Sequence, residues 1–145
     1  MSVITLTQAS TIVDVALKKA RDSNLQPLTV AVLDAGGHLV AFKREDKSGI
    51  LRFDIAFGKA WGALGMGFGS RTLASRAGKT PQFFTMLAAA SGGRMVTNPG
   101  GVLIRDGAGT IIGACGVSGD TSDKDEMCAM AGIEAAGLKA DPGTD

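Results

Sequence analysis

Two apolar runs, Val102-Leu103-Ile104 and residues 111–117, enclose the turn-rich segment Arg105-Asp106-Gly107-Ala108-Gly109. Asp and Gly tolerate the positive φ values of tight turns, so this pattern predicts a β-hairpin. The chain enters it through Asn98-Pro99-Gly100-Gly101 and leaves through Ser118-Gly119-Asp120-Thr121-Ser122. Both ends are small and rich in backbone donors, where a ligand can meet main-chain N–H groups. A second hairpin is written earlier. Residues 28–34 are β-rich and only partly alternating, as in a strand buried on both faces, and Ala35-Gly36-Gly37 turns the chain into a return strand over 38–43.

Helical spacing fills most of the rest. Residues 7–22 place Ile12, Val13, Ala16, Leu17 and Ala20 on one face, with Thr7 as the expected N-cap. Lys18, Lys19 and Arg21 fall where cations suit the helix dipole. From Leu51 onward Phe53, Phe57, Ala60, Trp61 and Leu64 recur every three to four residues, with Asp54 in the first turn. Gly58, Gly62, Gly65, Gly67 and Gly69 run through the same stretch. An interior Gly costs a helix about 1 kcal/mol against Ala, so a glycine face packed closely on another element is the expected compensation.

A short helical piece over 71–78, a helix opening at Pro81 and a brief extended segment over 94–97 lead to the second hairpin. Ser122 is expected to cap a final helix to about Gly137, with Asp125 as its capping-box partner. The tail, residues 139–145, is expected to fray. The order is helix, hairpin, helices, hairpin, helix. Two hairpins in one antiparallel sheet covered by helices make an α+β fold, and single strands alternating with helices, which a parallel sheet needs, are missing.

At 145 residues the chain is long enough for one domain with a full core, and no internal repeat or linker divides it. A net charge of +1, with no block of Lys or Arg, argues against a nucleic-acid partner bound through phosphate neutralisation. No uncharged apolar run reaches the roughly 18 residues of a membrane span, and the N-terminus lacks a basic region followed by an apolar one. A cytoplasmic protein without membrane association is the expectation. Cys115 and Cys128 lack the clustering of a zinc site or a disulfide framework and read as small core residues. Met127 and Met130 fit core packing.

Residues 32–42, Val-Leu-Asp-Ala-Gly-Gly-His-Leu-Val-Ala-Phe, resemble the first hairpin of the GlcG/HbpS-like family, also called the haem-degrading or DUF336 domain. Asp54-Ile55-Ala56 followed by Lys59-Ala60 is similar to its central helix. Residues 99–104 and 112–119 are similar to its second hairpin, so the ordered set spans roughly residues 5 to 138. The resemblance implies a profilin-like α+β fold and a homo-oligomer of dimers assembling to an octamer. It also implies a small-molecule pocket near the Pro99-Gly100-Gly101 turn and the central helix, with haem or a related tetrapyrrole as the ligand.

Each candidate site residue carries two readings. His38, the sole histidine, is either an axial haem ligand or a solvated turn residue. Asp54 and Lys59 stand about 140° apart around a helix. They are either proton-transfer groups of a catabolic enzyme (an isomerase, lyase or hydrolase acting on a small carboxylate or carbonyl compound) or a dipole-favoured Asp and a Lys paired with an acid. Arg94 is an anion clamp or a surface cation. Asn98, Pro99, Gly100 and Gly101 form a donor-rich ligand turn or simply a strand entry. The 118–122 loop lacks a phosphate-loop pattern, and capping accounts for it. Asp123, Asp125 and Glu126 read as a solvated helix start.

Overall fold

The computed structural model describes residues 3–145; Met1 and Ser2, where the reading of the N-terminus begins, lie outside the described residues. Helix α1 (Leu6–Asp22) opens on a capping box. Thr5, not Thr7, is the N-cap: its hydroxyl accepts from the Gln8 N–H while the Gln8 side chain accepts from the Thr5 N–H. The strands β1 (Thr29–Asp34) and β2 (Leu39–Arg44) form the first hairpin, and β3 (Gly101–Arg105) and β4 (Ile111–Ser118) the second. Between the hairpins lie α2 (Arg52–Met66), α3 (Ser70–Lys79) and α4 (Pro81–Ala90). Helix α5 (Ser122–Ala135) and a short β5 (Lys139–Asp141) complete the chain.

The hairpins join in one antiparallel sheet ordered β2-β1-β4-β3-β5. Strand alternation sorts the side chains between two helical layers. Val30, Val32, Val102, Ile104, Cys115 and Val117 pack with Ile12 and Val13 of α1 and Cys128 and Ile133 of α5. Leu33, Leu103 and Ala114 face the opposite side and pack on Ala60 and Ala63 of α2. Two covered faces explain why β1 and β4 read as nearly unbroken apolar runs. Strand β2 lies at the sheet edge and is largely exposed.

The expected glycine compensation is found inside α2 at Gly58 and Gly62. A methyl on Gly58 would overlap the Arg94 carbonyl, and one on Gly62 would lie 2.9 Å from Met95 Cγ. A strap of residues 94–96 therefore crosses the glycine face of α2, tied by the Val96 N–H to the Gly58 carbonyl at 3.2 Å. This strap is irregular and pairs with helix instead of sheet. Gly67 serves differently, closing α2 at φ 76°.

Two expectations at the C-terminal end fail. The tail does not fray: β5 pairs with β3 through Ile104 and Ala140. Residues 142–145 then lie along the start of α3, where the Pro142 carbonyl accepts from the Arg71 N–H at 3.2 Å and Thr144 N–H donates to Thr72 Oγ1 at 2.8 Å. The Ser122–Asp125 capping box does not form either. Thr121 is the N-cap, and the Asp125 carboxylate turns inward.

Candidate functional site

Helix α2 presents Lys59 to the inside of the fold and Asp54 to solvent, so the two sequence candidates do not meet. Lys59 is 2 % exposed, and its ammonium donates to the Val117 carbonyl at 2.9 Å and to Asp125 Oδ2 at 3.1 Å. Asp125 Oδ1 accepts from the Asp120 N–H at 2.9 Å. Burial is the largest influence on both partners. It pulls the Lys59 ammonium and the Asp125 carboxyl toward their neutral forms, against the attraction of each for the other. The geometry is that of the Lys paired with an acid. Asp125 is thus a buried ion-pair partner and not part of a solvated helix start. Its position was visible in principle, because the buried stripe Cys128, Ala129, Gly132, Ile133, continued back by one helical turn, arrives at residue 125.

The Pro99-Gly100-Gly101 turn packs against this pair. Gly100 adopts φ 119°, and a methyl there would sit 2.9 Å from Lys59 Nζ. Its carbonyl accepts from the Val117 N–H, and the Gly101 N–H donates to Ser70 Oγ at 2.7 Å. The Gly101 donor is therefore engaged inside the protein. Asn98 remains exposed and Pro99 half-buried at the rim.

His38 sits in the β1–β2 turn with its side chain 80 % exposed. Asp34 Oδ1 accepts from the N–H groups of Gly36 and His38 and lies 3.2 Å from His38 Nδ1. Those backbone bonds hold the Asp34 carboxyl below its ordinary range. His38 Nε2 makes no hydrogen bond among the described residues. The same turn lies on the indole of Trp61, with a methyl on Gly37 falling 3.2 Å from Trp61 Nε1.

Trp61 was part of the helical periodicity and was not singled out as a site residue, yet it connects the surface features here. Arg94, exposed on the strap, holds its guanidinium 5.1 Å from the centre of the indole ring and meets no carboxylate among the described residues. A cleft of about 140 Å³ opens between Trp61, Leu64, Gly65 and the 35–37 turn. Another, of about 210 Å³, opens between Trp61, Met66, Leu87 and Met95. Gly37 and Arg94 thus approach Trp61 from different elements, with His38 beside Gly37 in the same turn, whereas Lys59 lies inside the fold.

Among the described residues no group of three His, Cys, Asp or Glu side chains converges on a possible metal position. Both thiols are buried, and burial pushes Cys128 up to about 11 and Cys115 further, so neither supplies a thiolate near neutral pH. No helix among the described residues is long and apolar enough to cross a membrane.

Residues 4–134 match the family of haem degrading proteins described as HbpS-like. The chain belongs to this family. A protein of Citrobacter freundii described as an uncharacterized 15.0 kDa protein in the dhaT-dhaS intergenic region is 26% identical over 140 residues, covering 92% of each chain. Among solved structures, ORFY of Klebsiella pneumoniae superposes with a TM-score of 0.84 at 28% identity, over 94% of this chain and 92% of its own. The PduOC:haem complex superposes with a TM-score of 0.85 at 23% identity, over 94% and 97%. The α+β architecture of this HbpS-like chain is therefore the family's own fold.

Proposed function

We propose that this HbpS-like protein binds haem or a related tetrapyrrole on the Trp61 face of α2. The observation that carries the reading is the convergence of Arg94 and the His38 turn on one indole flanked by two apolar clefts. The residues fit such a ligand chemically. Trp61, Leu64, Met66 and Met95 offer an apolar wall to a flat macrocycle. Arg94, without a carboxylate of its own, would hold a propionate. His38, whose Nε2 makes no hydrogen bond among the described residues, would supply a nitrogen donor to the iron. Bound haem would supply an iron centre able to exchange electrons. The family and the haem-bound structural relative support the same ligand class.

On this reading the Pro99-Gly100-Gly101 turn acts by position. Held by Ser70 and packed on Lys59, it fixes the end of the strap that carries Arg94, and Asn98 and Pro99 form the rim beside it. The protein also assembles with copies of itself, as dimers building to an octamer. The exposed apolar side chains Leu39, Phe42, Ile50 and Leu51 around β2 and the start of α2 support such contacts.

Haem titration of the purified protein tests the ligand. A Soret band that saturates at one haem per chain is expected, with its position altered in His38→Ala and its affinity lowered about tenfold in Arg94→Gln. Free-haem spectra persisting at stoichiometric haem would overturn the reading.

A further inference from the structure

Between Asp54 and Asp106 the chain contains no Asp or Glu, although Lys59, Arg71, Arg76, Lys79, Arg94 and Arg105 all fall there. Three of these cations are matched by carboxylates from the C-terminal part of the fold. Lys59 pairs with Asp125, Arg71 with Asp123, Glu126 and Asp145, and Arg105 with Asp141. Arg76, Lys79 and Arg94 meet no carboxylate among the described residues. Arg76 lies over the Phe68 ring at 4.1 Å and Arg94 over Trp61, so each keeps guanidinium N–H donors uncommitted to an acid.

Two of the unmatched cations flank one apolar cleft. Arg76 and Lys79 stand at a cleft of about 270 Å³ whose apolar walls are Met66, Phe83 and Phe84. Met66 also lines a smaller cleft with Trp61, Leu87 and Ala90, and Arg94 lies over the Trp61 ring. Positions 83, 84, 87 and 90 share one face of α4 by helical spacing. Helix α4 carries no charge, and only Phe84 of its residues is buried. No acidic side chain lines either cleft. A groove with apolar walls and cations that have no internal counter-charge is complementary to an anion with an apolar body.

We infer that the groove between the end of α2 and α4 is a binding site for an anionic amphiphile, an acyl or aryl carboxylate. Its body lies against Met66, Phe83 and Phe84, and its carboxylate is taken by Arg76 and Lys79. The site adjoins the proposed haem face, sharing Met66 with it, but the cations and aromatic walls that carry this inference take no part in that reading.

The test uses dodecanoate below its micellar concentration, with dodecanol and dodecyltrimethylammonium as neutral and cationic equivalents. Emission from Trp61, the only tryptophan, reports binding. Saturable binding of dodecanoate is expected, about tenfold or more tighter than that of the alcohol, with no binding of the cation. Arg76→Gln with Lys79→Gln should remove that preference and leave alcohol binding unchanged, and His38→Ala should leave dodecanoate binding intact. Equal binding of the three probes, or an unaltered dodecanoate affinity in the double variant, would overturn the inference. So would a wild-type protein that ignores dodecanoate while Phe83→Asp splits it into smaller assemblies, because a second copy of the chain would then fill the groove.

Discussion

Lys59 Nζ lies 3.1 Å from Asp125 Oδ2, and the two side chains are only 3 % and 2 % exposed. The pair joins α2 to α5 around the end of the sheet, with the Val117 carbonyl and the Gly100 turn completing its surroundings. Removing one partner leaves the other charge or its hydrogen bonds unmet in a dry site. Lys59→Met and Asp125→Asn should each destabilise the fold by about 3 kcal/mol, within the usual range for broken buried pairs. The double variant should cost clearly less than their sum, and urea denaturation of all four proteins measures the coupling. An additive result would mean that the two charges do not stabilise one another.

The glycines of the helices should separate into opposite responses. Gly58→Ala places a methyl into the Arg94 carbonyl and should destabilise by about 2 kcal/mol, as overpacking does. Gly78→Ala, inside α3 with open space around it, should stabilise by about 0.5–1 kcal/mol through helix propensity. Thermal melts of the two variants check the opposite signs.

The C-terminal residues gain a testable role from Gly69, whose added methyl would collide with the Pro142 carbonyl. In the full chain Gly69→Ala should cost about 1–3 kcal/mol. In a chain ending at residue 138 the same change should cost less, about 0.5–1 kcal/mol, the ordinary difference between Gly and Ala at a helix N-cap. The comparison by denaturant titration isolates the contact from general effects of truncation.

Part of the acid sensitivity should trace to Asp120. Its carboxylate accepts from the Gln26 and Thr121 N–H groups at 2.8 and 2.7 Å, which holds it below the ordinary value of 3.8. A depressed carboxylate stabilises the fold at pH above 3.8, and that contribution disappears as pH falls through the lower folded value. The stability difference between wild type and Asp120→Asn should therefore stay constant from neutral pH down to about pH 5 and close below about pH 4. Denaturation midpoints across that range follow it.

The strands, hairpins and major helices were legible because their signals are local: alternation, Gly-rich turns and the 3.6-residue period act within a few residues. The interior of α2 was legible too, since glycines in a helix demand a close neighbour. What that neighbour was could not be read, because residues 94–96 have no periodicity and are shaped by the surface they cross. Asp125 was misread for a related reason. Near a helix start a carboxylate has an adequate local explanation in capping, and only the arrival of Lys59 from a distant helix makes its burial tolerable. The tail misled because Lys139 and Asp141 look like a solvated end, yet Asp141 meets Arg105 and the backbone finds the open side of β3. Trp61 was placed on the right helix. Its partners, Gly37 and Arg94, belong to separate loops that spacing along the chain does not connect.

The short strand β5 gives the sheet two unlike borders. On one side β2 offers six residues of strand. On the other, β5 offers three and is followed at once by Pro142, which has no N–H to donate. Border-to-border joining of two molecules through β2 therefore consumes the long margin of each and leaves only blunt ones outside. Growth by native strand addition through β2 would then stop at a pair.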